Sequence, residues 1–298
     1  MSRPIFSVVI PIFNASSTIE DAINSALAQT IREIEVLVVD DFSTDGSYEQ
    51  ALALSRNDNR LKVFRTTRNT GGPSIPRNLA LRHSTGSFLA FLDHDDRWLP
   101  TKLERQLAKH KDGGYAVTYT RCKIEAPEDP KMDGADLHSW WRVPPLEGTH
   151  VEELTRCNFV PLLTATLDRN WMHRVGEFTE DGRIHEDWHY WLRVAAQGGE
   201  FGFVDESLAI YRWTPTNRSN THGTPARIRT LHTLRNLGQI SSQCRSTFAA
   251  EERRIRMRTM DLRLRHLPKP VRTLVGRFLL PPRLWFDQST GRSPKPIA

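Results

Sequence analysis

Acidic side chains gather at three places where chemistry could be done: Asp40-Asp41, Asp93-His94-Asp95-Asp96 and His185-Glu186-Asp187. Carboxylates two residues apart, as in Asp93 and Asp95, offer oxygen ligands that suit Mg2+ or Mn2+. Such ions bind through one or two carboxylates together with substrate phosphates. A solvated acidic turn before a helix is the plainer alternative, because Asp is common there. No Walker-type GxxxxGK-S/T occurs and no GxGxxG follows the first apolar run, so any phosphates would be held by the cation and nearby donors. His185-Glu186-Asp187-Trp188-His189 also satisfies HExxH, which on a helix puts two histidines on one face and gives a zinc metalloprotease as a rival reading. Against it, no third-ligand motif follows, and the earlier carboxylates would have no task.

The elements that must position these groups are legible from hydrophobic patterning. Phe6–Phe13, Ile34–Val39, Leu61–Arg65 and Phe88–Leu92 are short apolar runs of the kind expected from strands covered on both faces. Between them lie helical stretches. Ser17-x-x-Glu20 offers a capping box ahead of Ile19, Ala22, Ile23, Ala26 and Leu27, and helices are expected over Ser47–Ser55, Ile75–His83 and Pro100–Lys111. Strand and helix alternating four times predict an α/β fold with a doubly wound, mostly parallel sheet. In open sheets of this kind ligands bind beyond the carboxyl ends of the strands, where Asn14, Asp40-Asp41 and Asp93–Asp96 fall. Asp40, Asp93 and Asp95 are therefore expected to converge on one cavity.

Further on, Tyr115–Ile124 reads as another strand and Ala126–Thr149 as a loop-rich insertion. Its Trp140-Trp141 pair reads as packing, with stacking on a ligand ring as the alternative. A helix is expected after Glu186-Asp187, with Trp188, Trp191, Leu192 and Ala195 on its buried face. Phe201–Leu208 followed by Ala209–Arg212 reads as a hairpin or edge segment returning to the site.

Composition sets the frame. The 298 residues are 38% hydrophobic and 26% charged, the balance of a soluble globular chain. No run approaches the roughly 18–20 apolar residues of a spanning helix, and Met1–Pro11 lacks signal-peptide features. Cys122, Cys157 and Cys244 form neither a disulfide framework nor a CxxC pattern. A cytoplasmic protein is the expectation. The net charge of +6 divides into a body, Met1–Gly223, at −6 and a segment, Thr224–Ala298, at +12. A basic, mainly helical extension that ends with the aromatic and cationic Gly276–Phe286 suits a membrane surface, the acidic body or a second subunit of a homo-oligomer. No nucleic-acid-binding module accompanies the charge, and none is expected as partner.

The series FSVVIPIFN, VLVVDDFSTDGS, RNTGGPSIPRNLAL, GSFLAFLDHDDRWLP and HEDWHYWLRVA, in that order from Phe6 to Trp213, resembles the family-2 glycosyltransferases with the A-type nucleotide-sugar-binding fold. The resemblance implies an inverting, divalent-metal-dependent transfer of a sugar from a nucleotide-diphosphate sugar, with a UDP-sugar favoured, to a hydroxyl of a glycan or lipid-linked glycan. It implies a place in polysaccharide or glycolipid biosynthesis, peripheral on the inner face of the cell membrane. By the same resemblance Pro11, Phe13 and Asn14 line the base and ribose pocket, Asp40 contacts the base and Arg77 faces the diphosphate. Asp93 meets the ribose or sugar, and Asp95, with Asp93, holds Mn2+ or Mg2+. Asp187 is the catalytic base, with Glu186 as its alternative, and Asp41, Asn69, Asp96 and Arg212 are lesser candidates. Pro76 stands where the family usually has alanine, and Thr214-Pro215-Thr216 where it usually has a histidine. The implied division is a glycosyltransferase domain over 1–223, with a nucleotide-binding half 1–112 and an acceptor-binding half 113–223, followed by the extension 224–298. A non-catalytic nucleotide- or glycan-binding protein of the same fold is the rival class.

Overall fold

The computed structural model describes residues 3–140, 144–214, 223–238 and 240–264. The Trp140-Trp141 side chains, Pro215-Thr216 and the Gly276–Phe286 stretch lie outside the described residues.

Strands β1 (Phe6–Ile12) and β2 (Ile34–Asp40) are buried along their whole length, as continuous apolar runs require. With β3 (Leu61–Arg65) and β4 (Phe88–Phe91) they pair in parallel. The eight-stranded sheet continues through β5 (Arg97–Trp98), β6 (Val117–Glu125), β7 (Thr166–Asp168) and β8 (Phe201–Arg212), in the order β3-β2-β1-β4-β7-β6-β8-β5. Only β7 and β5 run against their neighbours. Helices cover it: α1 (Ile19–Leu27) shares an apolar cluster with Val8, Ile10 and Ile12 of β1, and α3 (Ser74–His83) packs on β1 and β2. The remaining helices are α2 (Ser47–Ser55), α4 (Lys102–Gly113), α5 (Val151–Arg156), α6 (Arg169–Val175), α7 (Glu186–Ala196), α8 (Thr224–Arg235) and α9 (Ser242–Leu264). The register sets Ile12 against Asp40 and Asp40 against Arg65, so the tips of β1, β2 and β3 end level.

Two local expectations change, and one strand was not foreseen. The Ser17–Glu20 capping box does not form. Thr18 is the residue at the helix start, and its hydroxyl is within hydrogen-bond distance of the Ala15 carbonyl and of Nδ1 of His94. Residues 201–212 make one strand, not a hairpin or an edge segment, because β8 lies between β6 and β5 and absorbs its irregularity in bulges opposite Thr120–Cys122. The three-residue β7, inserted antiparallel between β4 and β6, is too short to leave a periodic signal.

Contacts gather Met1–Glu251 into one compact unit and Glu252–Ala298 into another. Within the first, α8 packs on α7, where the buried Thr230 hydroxyl accepts a hydrogen bond from the His185 backbone N–H. No helix among the described residues is long and apolar enough to cross a membrane.

Candidate active site

Beyond the strand tips lies a cavity of about 740 Å3. β1 and the turn after it supply Pro11 and Phe13, the end of β2 supplies Asp41, and the loop into α3 supplies Asn69. The turn after β4 contributes Asp93, His94, Asp95 and Asp96, and the start of α7 contributes His185, Glu186 and Asp187. Two acidic segments separated by ninety residues of chain thus line one space, with Arg77 of α3 between them.

Arg77 organises the floor. Its guanidinium is 3% exposed and makes ion pairs of 2.6 Å to Asp93 and 2.8 Å to Glu186. Burial opposes its charge, but the two carboxylates outweigh that and keep it firmly protonated. Its neighbour Asn78 exchanges a pair of 2.9 Å hydrogen bonds with the backbone of Phe178, so α3 also grips the segment leading to α7.

The carboxylates fare differently. Asp187 accepts hydrogen bonds from Nδ2 of Asn158 (2.8 Å) and from the Trp188 backbone N–H (2.7 Å). Burial and the Glu186 charge nonetheless lift its pKa to about 6, with the two donors and Arg77 opposing them. Burial, then the Asp93 charge, also raises Asp95, which the His94 and Arg212 charges oppose. Asp96 is raised further by burial and by both neighbouring aspartates, although it accepts a hydrogen bond from the Arg212 backbone N–H.

Four candidates do not line the cavity. Asp40 is fully buried, paired at 2.9 Å with Arg65 and accepting from the Ser43 N–H, so Asp41 is the member of that pair that borders the space. Asn14, at φ 48°, ties the loops after β1 and β2 together instead, through Ser43 and Thr44. Arg212 reaches Asp21 and Glu125, while Tyr211 and Trp213 on either side of it line the cavity, as strand alternation dictates. His189 is 3% exposed in the core, and burial drops its pKa to about 3, whereas His185 lines the cavity; the zinc protease reading finds no support. Asn69 and Arg77 do line the cavity, but Arg77 is engaged by carboxylates rather than offered to a diphosphate.

Asn158 and the apolar wall of Leu137, Pro161 and Leu162 were not anticipated. No spacing rule announces them, since they come from loops and single 3-10 turns after β6 and α5.

Among the described residues no three His, Cys, Asp or Glu side chains are arranged to hold a metal by themselves. The donor set still fits Mg2+ or Mn2+. Asp93 and Asp95 border the cavity, burial and then the Asp93 charge raise Asp95, and such ions take one or two carboxylates and complete their shell with phosphate and water.

Comparison with known proteins bears on this site. The sequence model described as glycosyl transferase family 2 matches residues 7–170. TuaG of Bacillus subtilis (strain 168), a glycosyltransferase named for teichuronic acid biosynthesis, is 31% identical over 211 residues, 70% of this chain and 79% of its own. WfgD of Escherichia coli, named as a UDP-Glc:α-D-GlcNAc-diphosphoundecaprenol β-1,3-glucosyltransferase, is 31% identical over 194 residues, 65% of this chain and 71% of its own. Among solved structures, Staphylococcus aureus TarS 1-349 in complex with UDP-GlcNAc superposes with a TM-score of 0.65 at 20% identity, covering 83% of this chain and 71% of that one. The mannosyltransferase PcManGT of Pyrobaculum calidifontis, with GDP-Man and Mn2+, gives 0.63 at 17%, covering 94% and 80%. At these identities the structural matches establish the shared A-type fold.

Proposed function

The chain belongs to glycosyl transferase family 2 and is a glycosyltransferase; from that premise we propose that it moves a sugar from a nucleoside-diphosphate sugar to a hydroxyl of a glycan or lipid-linked glycan, inverting the anomeric carbon. A UDP-sugar is the favoured donor, in keeping with the donor named for WfgD and the ligand bound to TarS. The diphosphoundecaprenol acceptor named for WfgD favours a lipid-linked acceptor here too. The extension 224–298, at +12, would then hold the enzyme against the anionic face of the membrane carrying that acceptor.

The observation that carries this reading is the single cavity bordered by both acidic segments. Pro11, Phe13, Asp41 and Asn69 would surround the nucleoside, and Asp93 and Asp95 would hold Mn2+ or Mg2+ against the diphosphate. When bound, that ion would neutralise the charge developing on the departing nucleoside diphosphate. Asp187 takes the proton of the acceptor hydroxyl as its oxygen bonds to the anomeric carbon, and the electron pair of the broken C–O bond leaves with the diphosphate. With a pKa of about 6, Asp187 is ionised near neutrality yet basic enough to accept that proton. Glu186, engaged with Arg77, shapes the charge around Asp187 rather than taking the proton itself.

A thermal-shift panel of nucleotide sugars with and without Mn2+ tests the reading. A UDP-sugar is expected to raise the melting temperature, and more so with Mn2+. If no nucleotide sugar stabilises the protein in either condition, the reading fails.

A further inference from the structure

We infer that Asn158 is a positioning residue for proton abstraction: its side-chain amide holds the Asp187 carboxylate in the orientation the acceptor hydroxyl must meet. The inference rests on Asp187 being the base.

The geometry is specific. One oxygen of Asp187 accepts from the amide of Asn158 at 2.8 Å, and the other accepts from the Trp188 backbone N–H at 2.7 Å. A donor on each oxygen fixes the torsion of the carboxylate. An ionised carboxylate only accepts, so the NH2 end of Asn158 must face it. The opposite end of the amide, Oδ1, is buried and has no hydrogen-bond partner among the described residues. An unmatched buried acceptor works against folding, so Asn158 holds a polar group that packing alone does not call for.

The loop that carries Asn158 is fastened to the helix that carries Asp187. The indole N–H of Trp188 donates to the Leu154 carbonyl at 2.6 Å, and that of Trp191 to the Val160 carbonyl at 3.0 Å. These two bonds flank Asn158, so the amide and the carboxylate share one rigid frame.

The charged groups acting on Asp187 are Glu186, which opposes its ionisation, and Arg77, which favours it. His185, next along the chain, also lines the cavity. The amide hydrogen bond favours the ionised form, so its removal must make Asp187 harder to ionise.

The test compares full-length Asn158→Leu, of similar volume, and Asn158→Gln with the wild type. Two readouts are used: the 13C titration of the Asp187 carboxylate, which needs no substrate, and the pH–rate profile for release of nucleoside diphosphate. For Asn158→Leu the titration midpoint should move above about 6 and the acid limb of kcat should move with it. Near neutrality kcat should fall about tenfold to a hundredfold, as for a misplaced catalytic group, at unchanged donor KM. The melting temperature should change little, because the loss of one unsatisfied oxygen offsets the loss of the donor to Asp187. Asn158→Gln should recover part of the rate. An unmoved midpoint with wild-type kcat overturns the inference, and so does a loss of rate that merely follows a loss of stability. Failure of the underlying reading looks different: Asp187→Asn would then retain transfer, whatever Asn158 variants do.

Discussion

The turn after β4 and the start of α7 both bring adjacent carboxylates to the same cavity, yet the protein treats them differently. At the helix each carboxylate has a partner: Glu186 has Arg77, and Asp187 has Asn158 and a backbone N–H. At the strand tip Asp93 shares Arg77, and Asp96 receives one backbone N–H. Asp95, raised by burial and by Asp93, makes no ion pair among the described residues. Charge that the fold itself compensates is placed for a task done by the side chain, such as holding a proton. Under the proposed function, the crowded charge left at the strand tip would be complemented by a cation bound with the diphosphate.

Asp187→Asn attacks the first half of that contrast and should have the largest effect. The amide keeps the shape and loses the basicity, so turnover should fall roughly 10^2- to 10^4-fold. Nucleotide binding, measured by calorimetry with Mn2+, should be retained. Normal turnover by this variant would break the contrast.

Arg77→Met comes next, because it strips the shared partner from both segments at once. Removing one member of a buried ion pair typically costs about 3–5 kcal/mol. The low end applies here, since Asp93 is a third exposed and can recover water. Chemical denaturation should therefore show a loss of about 3 kcal/mol. A fully stable Arg77→Met protein would mean that the two segments are held apart by other contacts.

The wild-type pH profile follows. In the proposed role Asp187 must be ionised to act, and its pKa is raised to about 6 by burial and Glu186. kcat should be level above about pH 7 and fall about tenfold per unit well below 6. The sign for stability is opposite: a raised carboxylate binds its proton more tightly in the folded state, so this group favours folding more as pH falls from 6 toward 4. A flat rate profile from pH 5 to 7 would remove the raised carboxylate from the mechanism.

How much of this could be read beforehand differs along the chain for physical reasons. β1 to β4 were legible because strands buried on both faces leave continuous apolar runs. The acidic segments were legible because their residues are neighbours in sequence. The choice between Asp40 and Asp41, or between Arg212 and the flanking Tyr211 and Trp213, is a question of which side a residue faces, and alternation along a strand decides it once the strand's end is known. Arg77 was picked out, but a guanidinium says nothing about which anion it meets, and two carboxylates of the protein reach it first. Asn158 was illegible. It meets Asp187 across 29 residues of chain, through a loop whose path is set by two tryptophan indoles on α7.

The smallest effect probes the strand tip and should carry an unusual sign. Asp95→Asn removes one of three crowded carboxylates from a half-buried turn, where like charges oppose one another. In metal-free buffer the variant should melt slightly higher than the wild type, by about 2 °C, the shift expected from somewhat under 1 kcal/mol in a domain of this size. Adding Mn2+ with the nucleotide found in the donor panel should invert the order, because a ligand that binds only the native state adds stability in proportion to the logarithm of its saturation. The wild type should then gain several degrees and the variant little. A variant that melts lower without metal would show Asp95 to be a structural residue of the turn. A variant stabilised as strongly as the wild type by Mn2+ and nucleotide would show that the cation is held elsewhere. Only the crossing of the two orders fits a charge that the fold tolerates for the sake of a ligand.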